Sequence, residues 1–557
     1  MDYLIIFLLS IRVFICENVC TTSGIYFDIS FCLCFALYVL LGKGRVLNRK
    51  FFIYPLVFIG LLLLNTIFSI NPYNSQNEVL KSCMYMLVFV FVCLLDRGKR
   101  RLLIVSLLVA SIIISLRAVY QYFSGLEYIN QHYAYEQIIN KGFYAIEMLK
   151  QKRVISWFLS PNLLAGYLLI IVPVALGSAI NSYKQKQIKQ LIFFGAIFIL
   201  AAISLYLTRS WGAYLGFSIA MVLIIFKILK SSQGFKINLS NNVKWLSGVV
   251  FLLLIFTAMH SNRGEYFFDI NNPQNSLVQR LYYWQSSEEI IKANPFTGVG
   301  LGNFGIIYPQ FKNINANETI YAHNLFLQLW AELGTILFLF LTGFIIYFYL
   351  NVLKKIKHEQ SAVLGFNAAI IAFLVYNFFD FSFFVFQSGY VFFIIVACLA
   401  VPQQNEKEGI SFNSKNFLNK IIFILICSPM ILFLSQEYNS QIALDKASLF
   451  LKQGKVDAAI NQGYRSLKYR ANNDQIYHFL AVCAIKKNPN IFSLQAIRFY
   501  QKAIELNPNY AFYYYYMAEY FQAHKLYSQA EQAREKALEH YPHNKKFKEM
   551  YEQIQGQ

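Results

Sequence analysis

Long apolar runs broken by short polar segments set the pattern of this chain. Crossing the hydrocarbon core takes roughly 20 apolar residues. Runs of that kind fall near residues 25–42, 52–70, 79–95, 102–122, 161–181, 190–207, 211–230, 245–260, 325–353, 361–379, 382–400 and 417–435. A further stretch, 3–16, is shorter and carries Arg12. No clear small-residue cleavage site follows it, so it reads as a marginal thirteenth span rather than a signal-peptide core. The expected fold class is all-α: a polytopic membrane helical bundle of about 12–13 spans over residues 1–435.

The polar breaks alternate in charge. Lys43, Arg45, Arg49 and Lys50 share one loop, and Arg97, Lys99, Arg100 and Arg101 share the next but one. Further basic groups follow at Lys184, Lys186 and Lys189, at Lys227, Lys230, Lys236 and Lys244, at Lys354, Lys355 and Lys357, and at Lys407, Lys415 and Lys420. The intervening segment NPYNSQNE (71–78) has no Lys or Arg. Basic loops stay on the cytoplasmic side. By alternation, the stretch 123–160, the turn at Arg209, the loop 261–324 and everything after 435 are expected outside.

After residue 435 the pattern becomes polar and helical. QAIRFYQKAIELNPNYAF and QAEQAREKALEHYPHN repeat one another, with Ala496/Ala530, Ala503/Ala537 and Pro508/Pro542 in matching places. Their offset of about 34 residues is the tetratricopeptide period. A looser copy surrounds Ala447, Ala459 and Ser466. Residues 436–557 are therefore expected to form a soluble helical-repeat domain that takes a protein partner, and FYYYYMAEY (512–520) supplies it with an aromatic groove or core.

Composition agrees with a membrane bundle. Of 557 residues, 57% are hydrophobic and only 14% charged, where a soluble chain carries about 25% charged residues. The net charge of +20 lies between apolar runs, which points to topology and anionic lipid rather than nucleic acid. Most of the nine cysteines sit inside apolar runs as small hydrophobes. No CxxC or HExxH spacing occurs, so neither a metal nor another cofactor is expected. Glu288 and Glu289 are adjacent on a helix and cannot face each other as a hydrolase acid/base pair.

Candidate chemistry gathers in RVISWFLSPNLLAGYL (153–168), LTRSWGAYLG (207–216), QRLYYWQSSEEIIKANPFTGVGLGNF (279–304) and YAHNLFLQLWAELG (321–334). The glycines of GVGLGNF have no preceding strand and no following Lys-Ser or Lys-Thr, so they read as tight turns rather than a phosphate loop. Asn162 and Asn324 each stand at the start of an apolar helix, where a side-chain oxygen can cap it. Arg117, inside a span, is an expensive charge whose partner the sequence does not name.

In this order, over residues 150–345, these segments resemble the O-antigen ligase and polymerase superfamily. The match rests on SPNLLAGYL, on the arginine of QRLYYW, on NPFTGVGLGNF and on AHNLFLQLWAELG. TRSWGAYLG matches the family's serine-arginine motif in part, with Trp211 where the family carries arginine. Members with a tetratricopeptide tail include ligases and protein O-oligosaccharyltransferases. The resemblance implies transfer of a glycan from undecaprenyl pyrophosphate to a hydroxyl of lipid A-core, protein or growing glycan, without metal, at the periplasmic face of the bacterial inner membrane. It makes Arg280 the pyrophosphate clamp, with Arg209 a second cation that also fits snorkelling at a span end. It makes His323 the group that orients or deprotonates the acceptor. Arg153, Arg263, Asn162 and Asn324 are expected substrate-binding residues. A lipid-linked glycan transporter and a non-catalytic scaffold are the alternatives from other classes.

Overall fold

A computed structural model describes residues 1–15, 21–41, 46–125, 151–230, 271–272, 275–355, 361–401, 411–413 and 417–549. The expected span 245–260, residue Arg263 and much of the 123–160 loop lie outside the described residues. Helices dominate. Among the described residues, six are long and apolar enough to cross a membrane: Thr22–Leu41, Pro72–Leu94, Arg97–Ser124, Pro161–Lys184, Ile188–Leu207 and Leu325–Lys354. Ile53–Thr66, Trp211–Lys227, Val363–Tyr376 and Phe386–Ala400 are shorter apolar helices on other expected spans. The expectation for 3–16 needs correction. Its helix α1, Asp2–Ile11, has 10 residues, about 15 Å of rise, which is half a hydrocarbon core. Arg12 ends it and is buried, with Nε donating to Asp28 at 3.2 Å.

Helix starts follow from local chemistry. Asn71 caps helix α2 (Pro72–Leu94) by accepting from the Tyr73 and Asn74 amides, with Pro72 in the first turn. Ser160 does the same for α3 (Pro161–Lys184), accepting from Leu163 N at 3.3 Å ahead of Pro161. Proline fits there because its missing N–H would be unsatisfied anyway. The cap of α3 is thus Ser160, not Asn162. Helix α3 is the centre of the bundle, with 83% of its most apolar window buried, and it packs on α4 (Ile188–Leu207) and α5 (Ser361–Tyr376). Arg117 stacks its guanidinium over the Trp157 ring at 4.0 Å, which supplies the partner the sequence left unnamed.

The basic segments converge. Val46–Asn48 pairs antiparallel with Ser411–Asn413, and Arg101 donates to Gln190 at 2.6 Å. Helices leading away from that end deliver Arg153, Ser160, Arg209 and His323 to the other. The bundle is therefore polarised: cationic connections at one end, the candidate residues at the opposite one.

A glycine pair fixes the GVGLGNF turn. Gly298 has φ 66° and Gly334 φ 72°. A Cβ on Gly334 would sit 2.3 Å from the Phe296 carbonyl oxygen, and one on Gly298 would sit 2.4 Å from that of Glu332. Gly334 also breaks α6 (Leu325–Lys355) into two helical pieces. With φ 72° and ψ 167° it occupies backbone space open essentially only to glycine. Gly334→Ala is expected to cost about 3 kcal/mol or more, read as a lowered unfolding temperature of the detergent-purified protein.

Helix α7, Phe417–Lys452, runs unbroken through the expected boundary at 435–436. Composition changes there but the rod does not stop. Among the described residues five further helices follow: Val456–Tyr469, Asp474–Lys487, Leu494–Leu506, Ala511–Ala523 and Tyr527–His540, each packed on its neighbour. Ala496, Ala503, Ala530 and Ala537 are all fully buried, so the repeated small residues lie where helices touch. The tail docks on the bundle through Arg470, which donates to Asn77 Oδ1 at 3.3 Å, and Asn473, which donates to the Tyr73 hydroxyl at 2.9 Å.

Candidate active site at the non-basic end of the bundle

Arg280 sits early in helix α8, Ser276–Ala293, whose start is set by Asn275 accepting from Leu277 N at 2.7 Å. Its guanidinium is anchored from two directions. Nε donates to the Phe379 carbonyl at 2.8 Å and Nη1 to the Ser276 carbonyl at 3.2 Å. Nη2 has no hydrogen bond among the described residues. Two cavities meet at this side chain. The smaller, about 240 Å³, is bounded by Trp211, Leu215, Leu277 and Phe379 besides Arg280. The larger, about 780 Å³, reaches from Arg280 past Tyr283 to His323. One cation therefore stands between an apolar chamber and a larger one of mixed lining.

His323 lines the larger cavity. Its φ of 50° is a left-handed conformation uncommon outside glycine, though histidine adopts it more often than most side chains. The imidazole stacks on Tyr283, centroids 5.3 Å apart at 24°, and meets Phe381 edge-on at 4.8 Å. Nδ1 faces the buried Asp380, 4.0 Å from Oδ1. Both atoms are buried, and neither has a hydrogen-bond partner among the described residues. The side chain is nevertheless 24% exposed, so its open part is the edge away from Nδ1, which carries Nε2.

Asp380 comes from the connection between α5 and helix α9, Phe386–Ala400. That connection is folded around Asn377, whose Oδ1 accepts from Phe383 N at 2.9 Å and whose carbonyl accepts from Leu325 N at 2.8 Å. The link to Leu325 ties the aspartate's loop to the helix that follows His323. Asp380 Oδ2 accepts from Ser382. Burial raises the Asp380 carboxyl above its ordinary range, while the Ser382 hydroxyl and the Arg280 charge oppose that rise. Burial and the same Arg280 charge push His323 well below the usual imidazole value. Arg280 thus favours a neutral imidazole beside a carboxylate, the pairing in which Nδ1–H points at Asp380 and Nε2 keeps a free lone pair.

The other expected residues divide. Arg153 is buried, with Nε donating to the Thr208 carbonyl at 2.9 Å and Nη2 to Asn162 Oδ1 at 2.7 Å. It holds the turn before Trp211 against the start of α3, and its guanidinium bounds neither cavity. Asn162 bounds both, and its carbonyl accepts from the Tyr376 hydroxyl at 2.9 Å. Arg209 occupies that same turn with φ 50°. Its neighbours Ser210 and Trp211 line the smaller cavity, while Arg209 lines neither. Asn324 caps α6 by accepting from Phe326 and Leu327 amides at 3.0 and 3.1 Å. Arg280, His323 and Asn162 are brought together; Arg153 supports them from behind.

Residues 196–342 match the family model described as O-Antigen ligase. That segment is similar to the O-antigen ligase family. It is also 25% identical over 230 residues to the ComP-specific O-oligosaccharyltransferase of Acinetobacter baylyi (strain ATCC 33305 / BD413 / ADP1), 40% of each chain. It therefore spans well under half of that curated relative's length. The O-antigen ligase match includes Arg209, Arg280 and His323 but ends before Asp380. Together with the span-length helices among the described residues, this similarity supports a multi-pass membrane protein.

Proposed function

We propose that this protein transfers a glycan from undecaprenyl pyrophosphate to an acceptor hydroxyl at the periplasmic face of a bacterial inner membrane. The observation that carries the reading is the shared cavity: the outward edge of His323 and the unbonded N–H of Arg280 face one space. No nucleotide sugar is available on that side, so the energy must already reside in the sugar–pyrophosphate bond. The first isoprene units lie in the apolar chamber and the diphosphate meets Arg280. The acceptor oxygen attacks the anomeric carbon as the bond from that carbon to phosphate oxygen breaks, with inversion. Its proton passes to Nε2 of His323, and the electron pair of the broken bond leaves on the pyrophosphate. Arginine suits that leaving group because its planar fork stays charged and can engage phosphate oxygens in pairs. Asp380 is a positioning residue, since a carboxylate at Nδ1 fixes the ring's tautomer and steadies the imidazolium that forms.

The relative's printed name supports a protein acceptor, with lipid A-core the alternative and polymerisation a third outcome of the same chemistry. The tail, read as tetratricopeptide repeats, recruits or positions the acceptor or a protein partner. Polar groups clustered at one end of the bundle support an enzyme over a transporter, whose charges would line a central path. The test is a reconstituted assay in proteoliposomes, with undecaprenyl-pyrophosphate glycan as donor and lipid A-core and acceptor protein offered in parallel. Product on neither acceptor, with donor retained, would overturn the reading.

The pH profile gives a second check. His323 acts as base only when unprotonated, and its pKa is lowered. The base form therefore persists below the ordinary imidazole value of about 6.5. The acidic limb of kcat/KM is expected below pH 6.5. A limb at or above that value would contradict the assignment.

A further inference from the structure

The larger cavity is not built from the membrane bundle alone. Its lining also includes Tyr510, Phe512 and Tyr541 from the C-terminal tail. Tyr510 and Phe512 have ring centroids 5.6 Å apart, and Phe512 and Tyr541 6.3 Å. The tail is held there by ties to the bundle's loop: Lys312 donates to the Tyr541 hydroxyl at 3.1 Å, and that hydroxyl donates to Glu318. Glu318 itself lines the cavity and is largely exposed.

We propose that these tail aromatics form a saccharide subsite, which binds the donor glycan beyond its reducing-end sugar. The inference rests on the glycan-transfer reading. The anomeric carbon must lie between Arg280 and His323, so the rest of the glycan has to run along the same 780 Å³ space. Aromatic faces are electron-rich and edges electron-poor, so the C–H face of a sugar ring packs on Tyr510 or Phe512 while its hydroxyls bond to Glu318. A peptide would instead be captured at an open strand edge or in a groove shaped for an amphipathic helix. Among the described residues the wall offers aromatic faces, loops and a carboxylate, and no strand edge.

The experiment uses the full chain in proteoliposomes with two donors, one bearing a single sugar and one an oligosaccharide. Tyr510→Ala and Phe512→Ala are expected to lower the oligosaccharide-to-monosaccharide ratio of kcat/KM roughly tenfold. Phe512→Tyr, which keeps a ring, is expected to restore most of that ratio, and an unfolding temperature close to wild type shows that the tail remains folded. An unchanged ratio in the alanine variants overturns the subsite. So does an effect confined to the KM for a protein acceptor, which would assign the wall to the acceptor instead. His323→Gln separates the two readings: loss of transfer from both donors supports the catalytic assignment, whatever the ratio shows for the wall.

Discussion

His323→Gln is expected to lower kcat for glycan transfer by about 10²–10⁴-fold, the usual worth of a positioned general base, while donor binding changes little. Glutamine fills similar space and keeps hydrogen-bonding capacity, yet it cannot accept a proton. The ring's stacking on Tyr283 and its edge contact with Phe381 are lost with it, so the unfolding temperature must be measured beside the rate. Asp380→Asn separates orientation from proton transfer. It leaves the base in place but offers an amide where Nδ1 wants an acceptor, which favours the wrong tautomer. A loss in kcat smaller than that of His323→Gln is expected, with the acidic limb of the profile moved, since removing a carboxylate makes imidazolium less favourable. The 4.0 Å separation is longer than a hydrogen bond, as is common before substrate tightens a site. Wild-type kcat in His323→Gln would remove this residue from the chemistry.

Much of this arrangement was legible in the chain because bilayers impose strong rules. Apolar length marked the helices, and basic breaks marked which ends belong together. The Arg280 and His323 motifs gave two corners of the cavity, since each sits in a short, distinctive context. Asp380 was not legible. In NFFDFSFF it stands among aromatics 57 positions after His323, with no spacing rule to connect them. Only the fold, through the Asn377–Leu325 hydrogen bond, brings that loop to the imidazole. A buried acid at the end of an apolar run was the available signal, because such charges are expensive in a membrane protein. Asn162 misled for a different reason. Two polar residues flanked Pro161, and proline's preference for the first helical turn hands the cap to the residue before it, Ser160. Nor could a composition change at 435 reveal that one helix runs through it, since a rod can be apolar in one half and polar in the other.

Arg280→Gln is expected to reduce kcat/KM for the lipid-linked donor by about 10²–10³-fold, the range found when one preorganised donor to a developing anion is removed. Two of its N–H groups already hold the Phe379 and Ser276 carbonyls, which aims the remaining face at the cavity without further ordering. Arg280→Lys restores the charge but cannot hold both carbonyls and still present a paired fork. It is expected to recover only about tenfold of the loss. If lysine matches wild type, charge alone suffices and the anchored geometry is irrelevant. If glutamine does, the diphosphate is held elsewhere. Because the Phe379 carbonyl immediately precedes Asp380, losing Arg280 also loosens the loop that faces His323, and it removes a charge that adds to burial in keeping the imidazole neutral. Arg280→Gln and His323→Gln should therefore combine to much less than the product of their separate losses. Such non-additivity is what coupled residues in one site display, and strictly multiplicative effects would mean that the two act in separate steps.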